Sequence, residues 1–377
     1  MAYINYRIQT AESGWERREF VRNWWQIYRG DPSWTPPHFK RLLHALDARR
    51  NPHLARLDPR LAYVEALPAR GRRVSTPHGP DPFMPQPVAM TLEVPLAGVV
   101  MLRDPRRRDK TAYLALYAGA NDVEATERLL YYAVEQLAAD GCRRMLGPVG
   151  LSPYAAAGAL EDCWDAPPAL HAPYNPPYLP ELLGRKLRAR VDSRLWHLEV
   201  GAPPPATGPA TLTPLAPARL AGDLLPLLQA ATENRAGFAP PDAEEAAFLL
   251  RWLGPNLGGW VAQVNERPVG FVLLQADTAV SVRRANGGRR WPWRLWLAAR
   301  ERRPVARGRL LFGATLPDWR GQGIGGQLWA QALRSAQAAG WRQLAIGPAA
   351  LGSAAAAFLE KRGAQPRQSY ALYDWSF

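Results

Sequence analysis

The sequence predicts an α+β chain built from two copies of one fold. Two observations carry the repeat and a third locates its seam. Leu137-Ala-Ala-Asp-Gly-Cys-Arg-Arg-Met-Leu-Gly-Pro148 and Gln337-Ala-Ala-Gly-Trp-Arg-Gln-Leu-Ala-Ile-Gly-Pro348 share one plan: helix end, Gly, Arg, apolar strand, Gly-Pro. Self-similarity of this kind marks a repeated architecture. The copies also end alike, because Leu182-Leu183 precedes Ser193 as Phe358-Leu359 precedes Ser369, each followed by an alternating, partly aromatic strand. Between them Gly201 to Pro209 is a stiff Pro/Gly linker, which divides the chain into 1–200 and 210–377.

In order, Trp15 to Tyr28 has the period of an amphipathic helix, and a second helix is expected over 38–47 beyond the turn-rich Asp31-Pro-Ser-Trp-Thr-Pro-Pro37. Arg60 to Glu65 and Ala97 to Leu102 read as strands, separated by a long loop with six prolines in 68–90. Arg106-Arg107-Arg108 is expected to be a solvated turn. Thr111 to Tyr117 alternates as a strand does, and a helix follows over 121–139, its apolar side formed by Leu129, Leu130, Ala133, Val134 and Leu137. Gly141 is placed to end it. An insertion, Val149 to Pro176, separates Gly147-Pro148 from the last helix of this copy. The second copy reads as a strand at 211–215, helices at 217–233 and 241–253, and a hairpin of Gly259–Val264 and Val269–Gln275. An insertion over 281–309, a strand at 309–316, a helix at 323–339, a strand at 342–346, a helix at 353–361 and a closing strand at 367–376 complete it.

The stretch with the most chemistry is Arg320-Gly-Gln-Gly-Ile-Gly-Gly326. It lies between the strand ending near Thr315 and a helix with apolar residues at Ile324, Leu328 and Leu333. A glycine turn from a strand into a helix N-terminus is an anion site: backbone approaches a phosphate closely and free N–H groups point at it. No Lys follows, which excludes the ATPase phosphate loop. Gly321, Gly323 and Gly326 fit the dinucleotide spacing, but the βαβ context with an acidic residue at the next strand is lacking. The equivalent turn of the first copy, Asn121-Asp-Val-Glu124 with Glu127 beyond, carries carboxylates that stabilise the helix dipole and would repel a pyrophosphate. One anion site per chain is therefore expected.

Arg320-x-x-Gly323-x-Gly325 after Leu316-Pro317 resembles the pyrophosphate loop of the GNAT acyltransferase superfamily. Most of the chain also resembles a bacterial family of tandem GNAT-like proteins, through Asp31–Pro37, Arg50-Asn-Pro52, Gly147-Pro148 with Ser152, Pro167-Pro168 and Tyr174-Asn-Pro-Pro-Tyr178; Gly150 stands where that family has Asn. The resemblance implies two tandem GNAT-like domains, each a mixed, mostly antiparallel sheet flanked by helices, with acetyl-CoA or another acyl-CoA as cosubstrate held by Arg320, Gly321, Gln322, Gly323, Ile324, Gly325 and Gly326. It further implies that pantetheine pairs with the backbone of Ala314 and Thr315. The implied activity is N-acyl transfer to a small amine bound between the copies, near Tyr174 and Asn175. The alternatives are a non-catalytic acyl-CoA-binding or regulatory protein, and an enzyme taking its acyl group from an acyl-carrier protein.

An acyl transfer needs a base for the amine proton, and Glu233 and Asp277 are the carboxylates at helix and hairpin ends. The superfamily's acid is a Tyr four residues before a Gly on the last helix; that position, before Gly363, is Leu359. Tyr370 and Tyr373 on the last strand are the substitutes. Scattered His and two Cys show no metal spacing, so no metal is expected. A net charge of +14 comes almost wholly from Arg, since only four residues are Lys. Ten Arg lie in 281–309, interleaved with Trp291, Trp293 and Trp296, which suits a lid over the coenzyme, a membrane-surface helix or a nucleic-acid patch. Because Gly and Pro leave only about 293–303 for a helix, with Trp293, Trp296, Leu297 and Arg300 on one face, packing on the protein is expected and nucleic-acid binding is not. Neither a signal-peptide pattern nor a run of ~18–20 apolar residues is seen, so a cytoplasmic location is expected.

Overall fold

The computed structural model describes residues 5–67, 94–205, 207–233 and 238–377. The expected proline-rich loop at 68–90 lies outside them. The first half runs β1 (Asn5–Thr10), α1 (Gly14–Ile27), α2 (Phe39–Ala45), α3 (Pro52–Arg56), β2 (Arg60–Leu67), β3 (Val94–Arg103), β4 (Thr111–Gly119), α4 (Val123–Ala139), β5 (Arg144–Val149), β6 (Ala159–Leu160), α5 (Leu179–Gly184) and β7 (Arg188–Glu199). The second runs β8 (Thr211–Pro214), α6 (Leu225–Thr232), α7 (Ala243–Leu253), β9 (Leu257–Val264), β10 (Arg267–Ala276), α8 (Ala279–Arg284), α9 (Trp291–Arg300), β11 (Arg307–Thr315), α10 (Ile324–Ala338), β12 (Gln343–Ala350), α11 (Ala354–Lys361) and β13 (Gln365–Ser376).

Local chemistry accounts for the helix ends. Ser13 and Glu16 form a reciprocal cap at the start of α1, with Ser13 N–H donating to Glu16 Oε2 at 2.7 Å. Helices α4 and α10 both stop at a left-handed glycine, Gly141 with φ 77° and Gly340 with φ 72°. The expected helix over 217–233 is broken at Gly222, and a 3₁₀ turn at Pro217–Ala221 precedes α6. Strand β1 and helix α3 are additions to the elements expected from the sequence.

All the main strands form one sheet in the order β1-β2-β3-β4-β5-β13-β7-β12-β11-β10-β9-β8. The sheet is mixed: β4–β5 and β11–β12 are parallel and the other pairs antiparallel. The last strands are exchanged. Strand β13, expected to close the second copy, instead pairs with β5 of the first, Tyr373 opposite Gly147 and Ser376 opposite Arg144. β7, the last strand of the first copy, pairs with β12 of the second, Leu344 opposite Leu198. The exchanged strands pair with each other at the centre, from Gln365 opposite His197 to Asp374 opposite Arg188. Hydrophobic burial follows the same plan on each side. α4 covers one face of the first half with Leu129, Leu130 and Leu137, and α1 and α2 cover the other with Phe20, Val21, Phe39 and Leu42. In the second half α10 and α11 cover one face, and α6 and α7 the other.

The Arg106–Arg108 turn is not simply solvated. Arg106 reaches across the halves and donates from Nη2 to Asp104 and to Glu245 of α7, both at 2.7 Å, and from Nη1 to the Pro240 carbonyl at 2.9 Å. Glu245 is fully buried, and its second oxygen accepts from Ser152 Oγ at 2.8 Å. Desolvation works against the Arg106 charge, but its bonds to Asp104 and Glu245 raise its pKa above the usual value. The Arg-rich insertion also bridges the halves. Trp25 Nε1 donates to Asn286 Oδ1 at 2.7 Å, Arg283 donates to Thr35 Oγ1, and His38 Nε2 lies 3.0 Å from Glu301. Gly287 must be Gly, since a Cβ there would collide with the Pro37 carbonyl oxygen.

Candidate functional site

The site is where two parallel strands part. β11 and β12 pair from Arg307 opposite Gln343 to Leu310 opposite Ile346 and no further. Yet β11 continues to Thr315 and β12 to Ala350. The split opens a cleft of about 750 Å³, lined by Phe312 to Thr315 on one side and Gly347 to Ala350 on the other. On its β11 side this leaves backbone groups available to an extended ligand, in the way an added strand would pair.

The glycine turn closes one end. Gly321, Gly323, Gly325 and Gly326 line the cleft together with Arg320. Gly323 has φ 84°, which turns the chain into α10, and no side chain caps that helix. The first N–H groups of α10 therefore meet the cleft with the positive end of the helix dipole behind them. Gly325 has room for a side chain: a Cβ there would meet only Phe358 and Thr315, at 3.8 and 3.9 Å. Lys361 at the end of α11 and Arg362 just after it line the same cleft and add positive charge that the sequence did not reveal. Ala314 and Thr315 are where they were expected. Ile324 is buried in the core, so only its backbone is available, and the Gln322 amide turns back to the Asp318 carbonyl at 3.1 Å.

The equivalent helix end in the first half is used internally. Asp122 caps α4 by accepting from Ala125 N–H at 2.8 Å, and Tyr6 Oη donates to the same carboxylate at 3.1 Å.

The expected catalytic side chains are not brought to the cleft. Tyr370 is fully buried among Leu160, Ala169, Leu195 and Ala345, with its hydroxyl 3.3 Å from Gln368 Oε1. Tyr373 goes with the exchanged strand and donates to Glu161 Oε1 at 2.8 Å. Asp277 is buried and accepts the Leu170 and Ala279 N–H groups at 3.0 and 3.1 Å, while Arg307 lies 3.2 Å away. Its role is to tie the insertion of the first half to the second. Glu233 stands at the exposed end of α6, ion-paired with Arg320 of the turn. The expected acceptor residues make hydrogen bonds within the protein. Asn175 accepts from Leu160 N–H at 2.6 Å and donates to the Leu160 and Pro176 carbonyls, and Tyr174 Oη donates to Asp31 at 2.7 Å. Both line a smaller cavity of about 170 Å³, which shares Ala156, Ala157 and His171 with the large cleft.

The cleft is also lined by Tyr154 to Ala157 and His171, all from the insertion of the first half. His171 Nε2 is 3.1 Å from the Leu253 carbonyl. A carbonyl only accepts, so Nε2 carries the hydrogen and Nδ1 keeps its lone pair. Burial, and next the Arg309 charge, hold the His171 pKa well below the usual imidazole value. The ring is thus neutral at pH 7. Arg309 is itself buried, also lines the cleft, and donates to the Leu170 and Gly347 carbonyls. Sequence reasoning misses both residues, because a lone His and one Arg among ten carry no spacing signal.

Residues 224–364 match the family model described as Acetyltransferase (GNAT) family. No curated protein matches the chain. Among solved structures, a tandem GNAT protein from the clavulanic acid biosynthesis pathway, without acetyl-CoA, is 12% identical with a TM-score of 0.56, covering 99% of this chain and 98% of its own. A GCN5-related N-acetyltransferase from Sphaerobacter thermophilus is 12% identical with a TM-score of 0.51, covering 98% and 95%. Another from Anabaena variabilis is 10% identical with a TM-score of 0.53, covering 98% and 72%. At such identities the likeness is one of fold.

Proposed function

From a chain that has the tandem GNAT fold, and whose second half matches the GNAT family model, we propose an acyl-CoA-dependent N-acyltransferase with one working site, in the second half. The observation that carries it is the uncapped, glycine-lined start of α10 at the mouth of the cleft where β11 and β12 part. The α10 N–H groups and Arg320 hold the coenzyme pyrophosphate. The β11 edge from Gly313 to Thr315 that faces away from β10 aligns the pantetheine arm as a short added strand. A small amine enters from the side of Tyr154 to Ala157. Its nitrogen attacks the thioester carbonyl carbon, a C–N bond forms, the C–S bond breaks, and the electron pair leaves with the coenzyme thiolate. His171 Nδ1 accepts a hydrogen bond from the amine and orients it, and the proton passes on to water, because burial and the Arg309 charge keep the imidazole from holding it. With Leu359 in place of the usual Tyr, the thiolate leaves without a protein acid, which a thiol tolerates because of its modest pKa (about 8.5). The acyl group, the acceptor amine and a cytoplasmic setting belong to this proposal.

Calorimetry with coenzyme A, together with thiol release from acetyl-CoA over an amine panel, tests it. The wild-type chain should bind one coenzyme. Gly325→Glu has room for its side chain and keeps the fold, but its carboxylate takes the pyrophosphate position and binding should be lost. His171→Leu should keep coenzyme affinity and lower turnover, because the amine loses the acceptor that orients it. Undiminished affinity in folded Gly325→Glu, or two equivalent sites per chain, overturns the assignment; unchanged turnover in His171→Leu removes the orienting role of His171.

A further inference from the structure

Helix α9 turns an apolar face outward. Trp291 and Leu295 lie one turn apart and are 65% and 56% exposed. Pro292, Ala298 and Ala299 are exposed around them, and Trp293 is 41% exposed at the flank. The opposite side is already satisfied. Leu297 is buried against Leu170, Ala279, Val282 and Ala285, and Trp296 lies edge-on to Trp293 and beneath the guanidinium groups of Arg284 and Arg300. The expected face of Trp293, Trp296, Leu297 and Arg300 does meet the protein, although Trp293 remains partly outside. A surface helix ordinarily shows polar residues to water, so the outer side of α9 is an unpartnered apolar face.

Positive charge frames that face. Arg289 and Arg290 before the helix and Arg302 and Arg303 after it are exposed. The one acidic residue of the insertion, Glu301, is occupied by His38. The segment is also fixed in place, by Trp25 on Asn286 and by Gly287 beneath the Pro37 carbonyl. Trp, Leu and a rim of Arg on a fixed helix make the arrangement that lies in a bilayer interface, with rings at headgroup depth and guanidiniums on anionic phosphates.

We propose that α9 docks the protein on an anionic membrane surface, with Trp291 and Leu295 entering the interface and the flanking arginines contacting lipid phosphates. A protein partner is disfavoured by size, since a stable interface takes about 800 Å² from each side and a ten-residue helix face offers only part of that. A nucleic acid is disfavoured by the exposed Leu295, which has no base or phosphate to meet. No helix among the described residues is long and apolar enough to cross a membrane, so the contact is peripheral.

Sedimentation with vesicles decides it, using phosphatidylcholine alone and phosphatidylcholine with one third phosphatidylglycerol, at physiological salt. Binding to the anionic vesicles should exceed that to neutral ones at least tenfold, since each surface arginine at an anionic leaflet is worth about fivefold. Trp291→Ser with Leu295→Ser should lower anionic-vesicle binding at least tenfold while coenzyme A affinity stays constant. Both side chains are exposed, so the fold does not depend on them. Equal binding by wild type and the double variant overturns the proposal. So does a dimer that the double variant dissociates in the absence of vesicle binding, or duplex DNA held as tightly as the vesicles and independently of Trp291 and Leu295.

Discussion

Replacing Arg106 by Met should destabilise the protein far more than a surface arginine would. Exposed ion pairs contribute up to about 1 kcal/mol, but this one is different. Glu245 is fully buried, Asp104 nearly so, and each has Arg106 Nη2 at 2.7 Å. Removing the guanidinium leaves two carboxylates inside the protein, with Ser152 Oγ as the remaining bond to Glu245. Breaking a buried pair from one side costs about 3–5 kcal/mol, because an uncompensated charge is left behind. That is a large part of the roughly 5–15 kcal/mol typical of a folded domain. Glu245→Gln removes one of those charges, so Arg106→Met with Glu245→Gln should be more stable than Arg106→Met alone. Urea unfolding followed by tryptophan fluorescence gives all four corners of the cycle. The reasoning fails if Arg106→Met costs under about 1 kcal/mol, the worth of an exposed pair, or if adding Glu245→Gln makes it worse. Because Ser152 leads directly into the cleft wall at Tyr154, the single variant should also weaken coenzyme binding.

Two further outcomes follow from the same geometry. Burial is the first cause of the lowered pKa at His53, His171 and His197, so below about pH 6.5 the unfolded chain takes up protons that the folded chain refuses. Stability should therefore fall as pH drops through 6.5 towards 5, by up to about 1.4 kcal/mol per pH unit for each such histidine, and His53→Phe should make the fall shallower in urea titrations at about pH 7.5, 6.5 and 5.5. Proteolytic cutting within the 201–209 linker should leave the halves associated in gel filtration, because β7 and β13 remain in each other's sheets; separation into free halves contradicts the exchange.

What the sequence reveals is local in character. The turn from Arg320 to Gly326 stands out because glycine, strand and helix signals are contiguous, and the repeat stands out because Gly141-to-Pro148 and Gly340-to-Pro348 align by eye. Arg106 reads as a solvated residue because its partners Asp242 and Glu245 are 136 and 139 residues away. The same distance hides the exchange of β7 and β13. Either strand has the alternation to close its own half, and the choice rests on edges formed by β5 and β12 elsewhere. Tyr370 and Tyr373 have the residue type of a catalytic acid on a strand near the site. Their side chains face the core and the first half, which a pattern of period two cannot decide without knowing which sheet the strand enters.

The two halves put the same structural element to opposite uses, and the exchange explains why both are kept. At the start of α4 a side chain supplies the negative charge, Asp122, and the helix end is closed. At the start of α10 glycines leave the charge to be supplied from outside. A helix end that already has its own carboxylate suits a pyrophosphate poorly, and for this reason the proposed reaction places the coenzyme in the second half. The first half is still indispensable to the cleft. Tyr154 to Ala157 and His171 form part of the cleft wall, Leu170 receives Arg309, and β7 extends the sheet beside β12. A free second half would lose that wall and expose the edge of β12 to water. In the proposed reaction the insertion over 149–176 of the first half shapes the acceptor side, while β11, β12 and α10 of the second half meet the coenzyme.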